Sequence, residues 1–89
     1  MIKSIDSTLE ERAKTHGSFI NVSYTAQGLK RVMGNNGGWV GLGGHQKESL
    51  EMIASKIARI LNGDPNHADS WHDIAGYAKL VEDDLNGKR

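Results

Sequence analysis

Along residues 46–61 the apolar side chains return at steps of three and four, at Leu50, Ile53, Ala54, Ile57, Ile60 and Leu61. This spacing follows the 3.6-residue turn of an α-helix and puts all six on one side. Glu48, Glu51, Ser55, Lys56, Arg59 and Asn62 fall on the other. The pattern recurs at Phe19, Val22, Ala26, Leu29 and Met33, and again at Trp71, Ile74, Ala78, Val81 and Leu85. Three amphipathic helices leave little chain for anything else, so the spacing predicts an all-α fold.

Local signals set the ends of these helices. Ser7-Thr8-Leu9-Glu10 reads as a capping box, with the Ser7 hydroxyl serving the backbone N–H three residues on. It predicts a short first helix from about Thr8 to Thr15, closed by Gly17, and Ser18 is the candidate cap of the second. From Gly34 to Gly44 the residues are Gly-Asn-Asn-Gly-Gly-Trp-Val-Gly-Leu-Gly-Gly, which predicts a loop, since glycine costs a helix conformational entropy. Trp39, Val40 and Leu42 are more apolar than a passive linker needs, so part of this loop is expected to dock on a helix or a neighbouring subunit. Asn62-Gly63-Asp64-Pro65 stops the third helix. The last starts between Ala68 and Ser70 and runs to about Leu85. The expectation is one domain over 1–89: a compact four-helix arrangement, one short helix and three longer ones, with the Gly-rich loop between helices 2 and 3.

A chain of 89 residues buries a smaller share of its surface than a larger one, and each long helix carries a wide apolar stripe. A homo-oligomer is expected to cover what a monomer cannot. Eleven basic residues balance eleven acidic ones, so no net field draws in a nucleic acid polymer. There is no cysteine for a disulfide or thiolate site, no run of membrane-spanning length, and no apolar leader in Met-Ile-Lys-Ser-Ile-Asp, so a cytoplasmic protein is expected.

Carboxylates are the first candidates for chemistry. Glu48 and Glu51, at i and i+3, point to adjacent places on one helix, and Asp69 and Asp73 repeat the device at i and i+4 on the next. Oxygen donors in pairs suit Mg²⁺, which keeps waters and substrate phosphates in its shell. Lys56 and Arg59 could clamp a phosphate, or serve only as partners in ion pairs along the helix. Gly76 is costly inside a helix and suggests that a ligand or another backbone comes close. Tyr77 and Trp39 could stack on a base, and His72 or His67 could donate to a phosphate. The histidines at 16, 45, 67 and 72 form no i, i+4 pair and do not point to zinc. The Gly-rich loop lacks the Gly-Lys-Ser/Thr ending of a phosphate-binding loop, and no nucleophile elbow is visible.

Three segments carry a resemblance: Glu-Arg-Ala-Lys-Thr-His-Gly-Ser-Phe at 11–19, Glu-Met-Ile-Ala-Ser-Lys-Ile-Ala-Arg-Ile at 51–60, and Asp-Ser-Trp-His-Asp-Ile-Ala-Gly-Tyr-Ala at 69–78. Together they resemble a family of short phage and prophage proteins of unassigned function. More distantly, roughly residues 11 to 85 look like the all-α, MazG-like nucleoside triphosphate pyrophosphohydrolases and the phage nucleotide-modification-associated proteins near them. In that pattern Glu-x-x-Glu on one helix and Glu-x-x-Asp on a later one hold Mg²⁺ at a triphosphate. Glu48 and Glu51 match the first pair and Asp73 the final Asp, whereas Ser70 stands in place of the second Glu and Asp69 is displaced from it.

The resemblance implies a phage-encoded protein in the host cytoplasm that binds a phosphorylated nucleotide at a partly degenerate Mg-carboxylate site, with pyrophosphohydrolase activity if the site is competent. One alternative is a non-catalytic sponge that sequesters a nucleotide defence signal, such as a cyclic nucleotide. Another is an inhibitor that docks on a host protein.

Overall fold

The structure, a computed structural model, describes residues 4–88. Met1, Ile2, Lys3 and Arg89, the ends of the expected 1–89 domain, lie outside the described residues. The elements in chain order are α1 (Ile5–His16), α2 (Phe19–Asn35), a 3-10 turn (Gly37–Gly41), α3 (Gly44–Asn62) and α4 (Ala68–Leu85). Among the described residues there is no strand, and the fold is all-α with four α-helices.

Each helix end has a local cause. Ser4, not Ser7, caps α1: its Oγ accepts from the Ser7 backbone N–H at 3.1 Å, and its carbonyl from Thr8 at 3.1 Å. A second serine three residues upstream offers the same capping geometry one turn earlier, and the helix takes it. The C-cap Gly17 has φ 86, a left-handed conformation that costs glycine nothing. At the start of α3 the Gln46 Oε1 accepts from the Gly43 N–H at 2.8 Å. The start of α4 falls at Ala68, within the expected interval.

The Gly-rich stretch departs from the expected loop. Helix α2 continues through Gly34 and Asn35, Gly37–Gly41 winds into the 3-10 turn, and α3 already begins at Gly44. Asn36 supplies the missing order, since its Oδ1 accepts from the Gly38 N–H at 2.8 Å and its carbonyl from Trp39 at 3.0 Å. The turn packs on α2, with Trp39 and Leu42 half-buried and Val40 exposed.

Helix α3 is the centre of the molecule. It packs on α4, on α2 and on the end of α1, while α2 and α4 occupy different sides of it. The result is an open row: the radius of gyration is 15.1 Å, against about 12 Å for a compact chain of this length. Small residues make the close contacts, and Ala26, Ala54 and Ala58 are the buried apolar side chains among the described residues. Ser49 and Ser70 are buried with them, as is Asp83, which accepts from Lys79 Nζ at 2.7 Å.

Several members of the expected core stripes remain in solvent, including Leu61, Trp71 and Leu85. Trp71 spends its indole N–H on the Pro65 carbonyl at 2.9 Å, and so closes the α3–α4 connection instead of filling a core. On α2, Ile20, Tyr24 and Val32 form an exposed stripe at i+4 steps around Gly28. No described helix is long and apolar enough to cross a membrane.

Candidate functional site

The ends of α1 and α3 meet at two glycines. A Cβ on Gly17 would strike the Asn62 carbonyl, and one on Gly63 would strike the Thr15 carbonyl and the His16 backbone. The Asp64 N–H donates to the Thr15 carbonyl at 2.7 Å across this contact. Only a residue without a side chain permits so close an approach. It brings the last turn of α1 beside the last turns of α3 and the first turn of α4.

What converges there includes three permanent cations, Arg12, Lys56 and Arg59, against two carboxylates, Asp69 and Asp73. Arg12 and His16 share a face of α1 at i, i+4, and Lys56 and Arg59 share a face of α3 at i, i+3. With His67, Asp69, Ser70 and Asp73 from the start of α4 they line a polar cavity of about 280 Å³. Lys56 Nζ lies 2.9 Å from Asp73 Oδ2. Its hydrogen bond and charge, helped by His72 and Arg59, hold the Asp73 carboxyl below the usual carboxylate value. Asp69 is exposed, with Oδ2 3.9 Å from His67 Nε2. Among the described residues no carboxylate pairs with Arg12 or Arg59.

The two imidazoles stand edge to face, with ring centroids 5.8 Å apart. Burial, then the charges of Arg59 and Arg12, then His67 and Lys56, push the His16 imidazole below its ordinary pKa. Its Nδ1 is buried and has no hydrogen-bond partner. A buried polar atom without a partner is costly, and here it sits near Arg12 and Arg59, which have no carboxylate partner among the described residues. The N-terminus of α4 adds its partial positive charge, and no side chain caps it. Such a cavity is complementary to an anion with several oxygens.

The family model described as a domain of unknown function, DUF6378, matches residues 2–84, a span that takes in every residue of the cavity. The chain belongs to the DUF6378 family. Searches of curated proteins and of solved structures find no match to this DUF6378 domain.

Of the residues expected in a site, the DUF6378 fold gathers Lys56, Arg59, Asp69 and Asp73 in the cationic cavity. His72, Gly76 and Tyr77 line a shallower concavity of about 510 Å³ on α4, which borders the first only through Asp73. The space over Gly76 is open, so close helix packing does not account for that glycine. Glu48, Glu51 and Trp39 border neither cavity.

The position of Glu51 follows from helix geometry. Ser49 Oγ donates to the Tyr77 carbonyl at 2.9 Å, which marks the side of α3 that faces α4. Two residues on, Glu51 is turned by about 200° and lies within about 20° of Asn62. Asn62 Nδ2 donates to Thr25 Oγ1 of α2 at 3.0 Å, so Glu51 belongs to the α2 side. Asp73 reaches α3 on the α4 side, and within one chain the two carboxylates do not share a cavity. Among the described residues no three His, Asp or Glu side chains are placed to hold a metal ion. Within one chain, then, Glu51 does not join Asp69 and Asp73 in one cavity.

Arg12, His16 and Ser70 are cavity residues that sequence reasoning did not put in a site, and Arg12 and His16 left a trace. Their i, i+4 spacing just ahead of Gly17 was the available signal. It stayed silent because the crossing of α1 over α3 is a tertiary feature.

Proposed function

We propose that this domain binds a phosphorylated small molecule, a nucleotide, through its phosphate, without a metal and without turning it over. The observation that supports the reading is the convergence of Arg12, His16, Lys56 and Arg59 from two helices on one polar cavity, with both guanidiniums free of carboxylate partners among the described residues. Arginine offers planar, forked donors that match phosphate oxygens in pairs, and each charge-assisted bond exceeds a neutral one in strength. The carboxylates that a metal-dependent hydrolase would use are engaged or distant: Asp73 is held by Lys56, and Glu51 belongs to another side of α3. That division favours the sponge-like reading over the pyrophosphohydrolase reading.

We also propose that copies associate through the Ile20, Tyr24 and Val32 stripe of α2. The buried apolar core of small alanines leaves these large side chains in water, and Gly28 between them has nothing near it, so a second helix can approach closely.

Thermal denaturation with nucleoside mono-, di- and triphosphates, each with EDTA and with Mg²⁺, tests the main reading. A bound ligand at a hundred times its Kd stabilises by about 2.7 kcal/mol, a rise in Tm on the order of 10–20 °C for a domain of this size. The expected result is a rise of that kind that survives EDTA, with the nucleotide recovered intact. A rise only with Mg²⁺, or release of pyrophosphate, would refute the proposal.

A further inference from the structure

The cationic cavity has an apolar neighbour. Between α1 and α2 runs a groove of about 380 Å³, walled by Leu9, Ala13, Phe19 and Val22. Gly17 completes the lining with Arg12, His16 and Arg59, and the last three also line the cationic cavity. We propose that this groove holds the aromatic base of the nucleotide whose phosphate sits in the cavity. The inference rests on the phosphate reading above and adds the second half of the ligand.

Three shared residues place the two spaces side by side, so one molecule can fill both. A guanidinium serves the two halves differently: its edge donates to phosphate oxygens, while its face stacks on an aromatic ring. Phe19, in the first turn of α2, is 83% exposed. A flat ring against it would remove apolar surface from water on both partners. Phe19 also points away from the Ile20, Tyr24 and Val32 stripe, since adjacent helix positions differ by about 100°, so a copy on that stripe need not cover the groove. The concavity of His72 and Tyr77 is the competing place for a base. It meets the cationic cavity only at Asp73 and is lined by neither Arg12 nor Arg59, so a base there would share no guanidinium with the phosphate.

The test is calorimetric titration of the wild-type chain, Phe19→Ala and Arg59→Ala with the four common nucleoside 5′-monophosphates and with ribose 5-phosphate, which carries the same charge and no base. Stacking of a base on an aromatic side chain is worth about 5- to 150-fold in affinity. The wild type is expected to prefer at least one nucleotide over ribose 5-phosphate by such a factor. Phe19→Ala should lose most of that preference while binding ribose 5-phosphate as before, and Arg59→Ala should weaken both. A nucleotide preference untouched by Phe19→Ala would overturn the base subsite and leave the phosphate reading standing. A change in oligomer size in Phe19→Ala, read by light scattering, would assign the groove to a second copy and also overturn it. Failure of every phosphate probe on the wild type would overturn both readings together.

Discussion

Two regions of this small domain carry clustered charge, and they are built in opposite ways. On the C-terminal half of α4, Lys79 and Asp83 stand at i, i+4 of one helix, 2.7 Å apart, with Glu82 joining Lys79 at 3.5 Å. Lys79 offsets one of the two carboxylates, and buried Asp83 meets that cation on its own helix. At the other end, Arg12 and Arg59 come from different helices, and their cavity also holds a buried His16 nitrogen with no partner. The first cluster pairs along one helix; the second leaves two guanidiniums without a carboxylate partner among the described residues. A charged patch thus points to a ligand when its members converge from separate elements and remain unpaired.

The sharpest way to break this comparison is to remove cations from each region in turn. Loss of a hydrogen bond to a charged group costs about 1.5–3 kcal/mol. Phosphate affinity should therefore fall roughly tenfold or more for Arg12→Ala and for Arg59→Ala, and about a hundredfold for both. Lys79→Met should leave affinity unchanged and lower Tm instead, because buried Asp83 loses a partner. Equal losses of affinity in the two regions, measured by calorimetry, would erase the distinction.

The next effect concerns how the open cluster is assembled. Gly63→Ala forces a methyl group into the Thr15 carbonyl and the His16 backbone, and overpacking of this kind costs about 1–3 kcal/mol. Chemical denaturation should show that loss together with weaker phosphate binding, since the collision separates α1 from α3. Destabilisation without any change in binding would mean that Arg12 and His16 do not contribute to the site.

Protonation sharpens the comparison further. The folded chain holds His16 below its ordinary value of 6.5, so it binds fewer protons than the unfolded chain as pH falls through that region. Without ligand, stability should decline there. A bound anion favours the imidazolium, so affinity for sulfate, which keeps its charge over this range, should rise over the same interval. Flat sulfate affinity would remove His16 from the site. Asp73 has the same sign on stability: its lowered value contributes stability above 3.8, which is lost as pH falls through the folded value. The smallest effect belongs to Gly76→Ala, expected to stabilise by up to about 1 kcal/mol in thermal melts because nothing occupies the space over that glycine.

The long helices were legible because their signals are local. The period of α3, its stop at Asn62 and Gly63, and the start of α4 at Ala68 all depend on near neighbours. The start of α1 was missed by a choice between two serines at equal spacing, and the Gly-rich stretch because one Asn36 side chain sufficed to wind it. In the site, Lys56, Arg59, Asp69 and Asp73 were named from the sequence, but the pairing of Lys56 with Asp73 was not, because it depends on the register between α3 and α4. Arg12 was not named, since its place depends on a glycine contact between residues far apart in sequence. Within one chain Glu51 does not meet Asp73, because the register of α3, set by Ser49 against Tyr77, turns Glu51 away.

The most direct test of the unpaired cluster is a ¹H–¹⁵N NMR titration of the full chain with pyrophosphate in EDTA. Saturable shifts concentrated in residues 12–17, 56–63 and 67–73, with residues 79–83 unmoved, are the expected result. Absence of saturable shifts, or the largest ones along residues 20–32 or 79–83, would contradict it.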